Sequence, residues 1–237
     1  MPKRSIVIAT IKPWNISNFR SWIVPRGFKK YLIVSPKKLT LEYLRKLNPR
    51  YVFFPHWSWM IPKEIYDNFE CVVFHSANLP FGRGGSPIQN HIVRGIYNIK
   101  VCALKVVADV DAGPVYMHEP INIKTGSAEE ILKKISVISF KMMKKIIRLQ
   151  PVPKSQCGKV VIWKRRRPEE SSIPDLLSGR KLYDFIRMLD ADGYPPAFIE
   201  WKGWRYEFRD AILNSKGEVV ARVSISKIKT LRRFLRH

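Results

Sequence analysis

Residues 51–87 read YVFFPHWSWMIPKEIYDNFECVVFHSANLPFGRGGSP. Residues 51–54 and 71–74 are short, almost unbroken apolar runs, the pattern of strands buried on both faces. Residues 63–68 between them suit a helix, so the stretch spells strand, helix, strand. The alternation continues on both sides. Residues 5–10, 31–35 and 101–107 are further strand runs, and residues 17–22, 40–47 and 87–94 read as helices. Ser127 caps a longer amphipathic helix over 128–149, with Glu129 and Glu130 in its first turn. Thr40 also suits a cap, but its acid, Glu42, falls two residues on, where a capping box needs three. Residues 1–150 are therefore expected to form an open, mostly parallel α/β sheet.

Past Gln150 the character changes. Residues 151–178 read as a basic linker with a strand at 159–163 and the cluster Lys164-Arg165-Arg166-Arg167. Residues 179–237 read as a small C-terminal region. It has a helix at 180–189, then mostly antiparallel strands at 198–201, 204–208 and 219–225, and a basic tail from Lys227.

The 237 residues are 46% hydrophobic and 12% aromatic, which supplies a core and excludes a disordered chain. Against 43 Lys and Arg stand 19 Asp and Glu, a net charge of +24 spread over both regions. Such a field favours anionic partners such as phosphates, nucleotides, RNA or acidic lipid. Cys71, Cys102 and Cys157 have no metal-ligand spacing and cannot all pair, which fits a reducing, cytoplasmic setting. No apolar run approaches the roughly 20 residues that cross a bilayer. The opening Met1-Pro2-Lys3-Arg4 reads as leading into a strand-like segment rather than as a signal sequence with a cleavage site.

The chemistry gathers around His75, at the carboxyl end of the fourth strand run, where open α/β sheets hold their ligands. The loop 79–87, LPFGRGGSP, has three glycines and a Ser86-Pro87 helix start, and is expected to aim free N–H groups at an anion or a carbonyl. No Gly-Lys-Ser/Thr closes it, and no G-x-G-x-x-G follows the first strand, which disfavours ATP and nicotinamide sites of those types. Asp109 and Asp111 follow the fifth strand run; an extended chain would point both the same way. A histidine and a carboxylate beside a glycine loop suit acyl transfer, the one polarising a carbonyl and the other moving a proton. Asp-x-Asp also reads as the metal pair of an enzyme acting on nucleotide sugars. His56, His91 and His118 read as structural or surface residues, and Lys164–Arg167 as a solvated face or a phosphate grip.

The order of these features resembles the folate-dependent formyltransferases. The aromatic loop ending in Ile61-Pro62-Lys63-Glu64-Ile65 comes first, then His75, Leu79-Pro80, Arg83-Gly84 with Pro87-Ile88, and Asp111 with Gly113. The likeness spans residues 50–150. A weaker one links residues 164–169, 182–187 and 193–198 to the short C-terminal region of the sugar-modifying branch. It implies a Rossmann-like catalytic domain that moves a formyl group from 10-formyltetrahydrofolate to a primary amine, with no metal. It makes His75 and Asp111 the catalytic pair. It makes Trp57-Ser58-Trp59-Met60-Ile61 the loop that receives the pterin, with Asp109 beside it and stacking from Trp57 or Trp59 as our addition.

The expected acceptor is a nucleotide-linked amino sugar, its diphosphate met by Arg83, Gly84, Gly85, Arg165, Arg166 and Arg167. The first alternative is an aminoacyl-tRNA or other RNA-borne amine, which the charge favours; the second is a non-catalytic basic binding protein on the same fold. A homodimer is a further expectation from the family. One departure stands out: the family has an asparagine two residues before the histidine, and this chain has Val73. Asn78, Gln89 and Asn90 are the candidates to replace it, Asn78 being nearest, so Asn78 joins the expected catalytic set and Asn78→Ala is expected to lower turnover.

Overall fold

Along the chain run β1 (Ser5–Ala9), α1 (Pro13–Ser21), β2 (Lys29–Ile33), α2 (Leu41–Leu47), β3 (Pro49–Phe54), α3 (Lys63–Tyr66) and β4 (Cys71–Ser76). These supply four parallel neighbours of a six-stranded sheet, completed by β6 (Asn98–Lys105) and β7 (Val115–Asn122) in the order β2-β1-β3-β4-β6-β7. The computed structural model describes residues 4–175 and 178–228; the expected basic tail beyond 228 lies outside them. Strand periodicity divides the core. Ile6 and Ile8 join the cluster beneath α5 (Ala128–Leu149), whereas Val7 and Ala9 join Ile33, Leu44, Val52, Phe54 and Ile65 on the opposite face.

The sheet is mostly parallel, with a consequential exception. β6 runs antiparallel to β4, pairing His75 with Cys102 and Val72 with Lys105, and β7 runs antiparallel to β6. The carboxyl end of β6 therefore lies beside Val72, about 10 Å along β4 from His75.

The helix caps follow the sequence. Ser127 and Glu130 close a reciprocal capping box at the start of α5, and Thr40 accepts from the Tyr43 N–H without an acidic partner in return. A substituted cap of this kind costs about 1 kcal/mol.

A second sheet, order β11-β10-β9, comprises β9 (Ala197–Trp201), β10 (Trp204–Leu213) and β11 (Val219–Lys227). The β9–β10 turn puts Lys202 and Gly203 at φ of 47° and 80°, the sign a two-residue hairpin turn with matching twist requires. This sheet rides on α6 (Gly179–Arg187), whose Phe185 and Ile186 enter the same cluster as α5. Asp184 anchors the helix. It receives Arg180, the fully buried Arg187 and the Tyr97 hydroxyl, and Arg187 also donates to the Ile123 and Gly126 carbonyls. A third small sheet ties the linker to the loop after β4: β5 (Phe81–Gly84) pairs in parallel with β8 (Val161–Trp163). Among the described residues no helix is long and apolar enough to cross a membrane.

Candidate active site

His75 sits one residue from the end of β4, on the same sheet face as Val73. Its Nε2 lies 2.7 Å from the Gly82 carbonyl oxygen, so that nitrogen carries a proton and donates. Its Nδ1 lies 3.3 Å from Asp111 Oδ2, and the Gly84 N–H donates to the same oxygen at 3.0 Å. With Nε2 held, the Nδ1–carboxylate contact accommodates one shared proton. Both side chains are largely buried, and both line a cavity of about 740 Å³.

Asp111 does not arrive as an extended strand tip. Because β6 is antiparallel, the chain after Lys105 turns back, with the Lys105 N–H donating to the Pro114 carbonyl, and Asp111 stands at φ +54° in that return beside exposed Asp109. Gly113 permits this return: a Cβ there would lie 1.8 Å from the Lys105 carbonyl oxygen. Gln156 fastens the turn by donating to the Asp111 and Gly113 carbonyls, each at 2.8 Å, while its own oxygen accepts from Arg83. Gln156 carried no motif and escaped the sequence reading.

The glycine loop also differs from its expected role. The Gly84 N–H is spent on Asp111 and the Gly85 N–H on the Trp163 carbonyl, so neither is offered to a ligand. The glycines instead admit the linker, since a Cβ on Gly85 would lie 2.4 Å from Arg165 Cα. Arg165, Arg166 and Arg167 thereby reach the cavity wall, whereas Arg83 turns to Gln156 and does not line it.

None of the three expected replacement amides reaches His75. Asn78 donates to the Asn98 carbonyl and lies off the cavity; Gln89 donates to the Met188 carbonyl; Asn90 donates to the Gly85 and Lys164 carbonyls. Asn78 is thus removed from the catalytic set, and Val73 lines the cavity with no substitute donor among these three residues.

Two contact groups join this pair in lining the cavity. One holds Trp57, Trp59, Met60 and Ile61 with the 106–111 return and exposed Asp109; Trp57 and Trp59 meet edge to face at 4.9 Å. The Trp57 indole N–H is buried there without an acceptor. The other holds Lys12, Trp14, His56, Arg165 and Tyr194. His56, expected to be structural, belongs to this wall. It stands at φ +53°, with Nε2 3.4 Å from the Tyr194 hydroxyl.

Burial, then Lys12 and Arg165, push the His56 pKa down to about 4, so the ring is neutral. His91 is also pushed down to about 4, chiefly by burial, and packs on Trp163 with Nδ1 near the Pro87 carbonyl, which is a structural role. Burial raises the Tyr194 hydroxyl and lowers Arg166. Among the described residues no group of three His, Cys, Asp or Glu side chains could hold a metal.

A family model described as "Methionyl-tRNA formyltransferase, C-terminal domain" matches residues 168–226. A solved methionyl-tRNA formyltransferase from Clostridium thermocellum is 42% identical, with a TM-score of 0.88, covering 94% of this chain and 99% of that one. An open α/β sheet with a histidine–aspartate pair in its cavity is the class that fold and site define. The chain belongs to the formyltransferase family. Among curated relatives, the methionyl-tRNA formyltransferase of Thermodesulfovibrio yellowstonii is 27% identical over 158 residues, 62% of this chain and 50% of the relative. The chain spans about half the length of the curated relatives it matches first. The fold is shared with a 4-N formyltransferase from Francisella tularensis (13% identical, TM-score 0.67, 93% and 96% covered). It is also shared with Aquifex aeolicus HypX in complex with tetrahydrofolic acid (15%, 0.73, 90% and 38%).

Proposed function

We propose that the chain transfers a formyl group from 10-formyltetrahydrofolate to the primary amine of an RNA-borne acceptor, an aminoacyl-tRNA. The His75–Asp111 contact in the lining of the cavity is the observation that carries this reading. The 42% identical relative and the +24 charge favour RNA as the bearer of the amine. The folate co-substrate supplies the formyl carbon bound to N10. The wall of Trp57, Trp59, Met60 and Ile61 fits its ring: aromatic surface is open there, and the Trp57 N–H lacks an acceptor.

The protein's own groups then divide the work. Gly82 fixes the imidazole through Nε2, so the proton between Nδ1 and Asp111 is the one that an incoming formyl oxygen can draw on. Nδ1 donates to the formyl oxygen as the amine adds to the carbon and negative charge develops; such a donor is worth roughly 3–4 kcal/mol. Asp111, held by the Gly84 N–H and by Gln156, takes the proton that the amine loses and returns one toward N10 as the N10–carbon bond breaks. Proton count is conserved. Val73 supplies no second donor, so His75 carries the oxyanion stabilisation that the family shares with an asparagine.

A nucleotide-linked amino sugar is the second reading, favoured by the likeness to the Francisella 4-N formyltransferase over nearly all of both chains. The test is an assay of 10-formyltetrahydrofolate consumption with methionyl-tRNA and, in parallel, with 4-amino nucleotide sugars. Turnover with the charged tRNA alone is the expected result. Turnover with the sugars alone overturns the acceptor, and turnover with neither overturns the activity.

A further inference from the structure

In the wall of Lys12, Trp14, His56, Arg165 and Tyr194, the Tyr194 hydroxyl meets the His56 ring, whereas the donors of Lys12, Trp14 and Arg165 have no protein acceptor among the described residues. Lys12 rests over the Trp14 and Tyr194 rings at 5.4 and 5.3 Å and pairs with no carboxylate among the described residues. Arg165 makes neither a hydrogen bond nor an ion pair among them. The Trp14 indole N–H is buried with no acceptor, on a residue only 9% exposed. Two cations facing one neutral imidazole, with no carboxylate between them, repel each other, and an anion of the right size relieves that repulsion. His56 is held at φ +53°, a conformation that costs a non-glycine residue about 1–2 kcal/mol and is found at sites that hold ligands. Elsewhere in the fold Arg180 and Arg187 of α6 are held by Asp184 and backbone carbonyls.

From this contrast we infer that Lys12, Arg165 and the Trp14 N–H form a subsite for a phosphate group of the nucleotide-bearing acceptor, with His56 and Tyr194 as its neutral floor. A phosphate offers several acceptor oxygens to donors converging from three elements: the β1–α1 junction, α1 and the linker after β8. The inference rests on the proposed formyl transfer for the word acceptor, though not for the site itself. Either an internucleotide phosphodiester or a nucleoside diphosphate would present this chemistry.

Calorimetric titration of the intact protein with inorganic pyrophosphate tests it. Binding is expected, weakened at least tenfold in both Lys12→Ala and Arg165→Ala, with tetrahydrofolate affinity unchanged in each. Equal pyrophosphate affinity in wild type and both variants, or no binding to wild type, overturns the subsite. Parallel arms with uridine diphosphate and with an uncharged RNA ending in CCA identify the source, since the natural phosphate competes with pyrophosphate in the wild type and loses affinity in both variants. Pyrophosphate bound without any formyl transfer would leave the subsite standing and sink the proposed activity. Formyl transfer that pyrophosphate does not inhibit would do the reverse.

Discussion

Two groups of cations meet opposite fates in this molecule. On α6, Arg180 and the buried Arg187 converge on Asp184, and Arg187 fills its remaining donors with carbonyls of the 123–126 turn. Beside His56, Lys12 and Arg165 face a cavity and meet no carboxylate among the described residues. The first group is structural cement: it fixes the second sheet on the shared core. The second keeps its charge available at some expense in mutual repulsion. Net charge alone does not separate these uses; the partner of each cation does.

The most severe way to break the contrast is Asp184→Ala, which strands Arg187 without its carboxylate. Losing one member of a buried pair costs about 3–5 kcal/mol, read as a lowered denaturation midpoint. A loss below about 1 kcal/mol would deny the cluster its anchoring role. His75→Asn leaves stability close to wild type but lowers turnover by roughly a hundredfold to a thousandfold; retention of a tenth of the activity would move the catalytic donor elsewhere.

His56→Asn sharpens the picture of the neutral wall. With its folded pKa pushed down to about 4 against an ordinary 6.5, His56 takes up a proton in the unfolded chain first. Folding stability is therefore full above about pH 6.5 and declines as pH falls toward 4. Removing the ring should spare roughly 3 kcal/mol of that decline in denaturation curves at pH 7 and pH 4, with His91 sustaining the rest. An unchanged decline would mean that His56 is charged in the folded protein.

Gln156→Ala is expected to lower kcat about tenfold, roughly 1.4 kcal/mol, while KM for the folate stays within twofold, because Gln156 holds the Asp111 turn and does not line the cavity. A rise in KM with kcat intact would contradict a positioning role. Asn78→Ala, reversed from the sequence expectation, should change turnover less than about twofold. A larger drop would restore that amide to the chemistry.

Most of the fold was legible because its strands are short, doubly buried runs separated by capped helices; α5 begins and ends where its periodicity does. The direction of β6 was not, since an apolar run of its length reads alike in parallel and antiparallel pairing. β7 was missed because Val115–Asn122 alternates buried and exposed residues and carries Pro120, the signature of an edge strand. In the cavity, His75 and Asp111 were singled out by their order along the chain, and the fold brings them into contact. Gln156, Lys12 and His56 were not, because their roles arise only when the linker and the β1–α1 junction close on the cavity. The glycine loop was misread for a related reason: sequence displays free N–H groups, and folding assigns them to Asp111 and Trp163.

The β5–β8 pairing bears on how this protein can be dissected. A fragment ending at Gln150 would retain the histidine and the aspartate but forfeit the brace behind the aspartate, the indole against Gly82, and three arginines of the cavity rim. What looks in the sequence like a tether between two parts is a wall of the reaction chamber, and neither part can be borrowed for a chimaera without carrying that wall along.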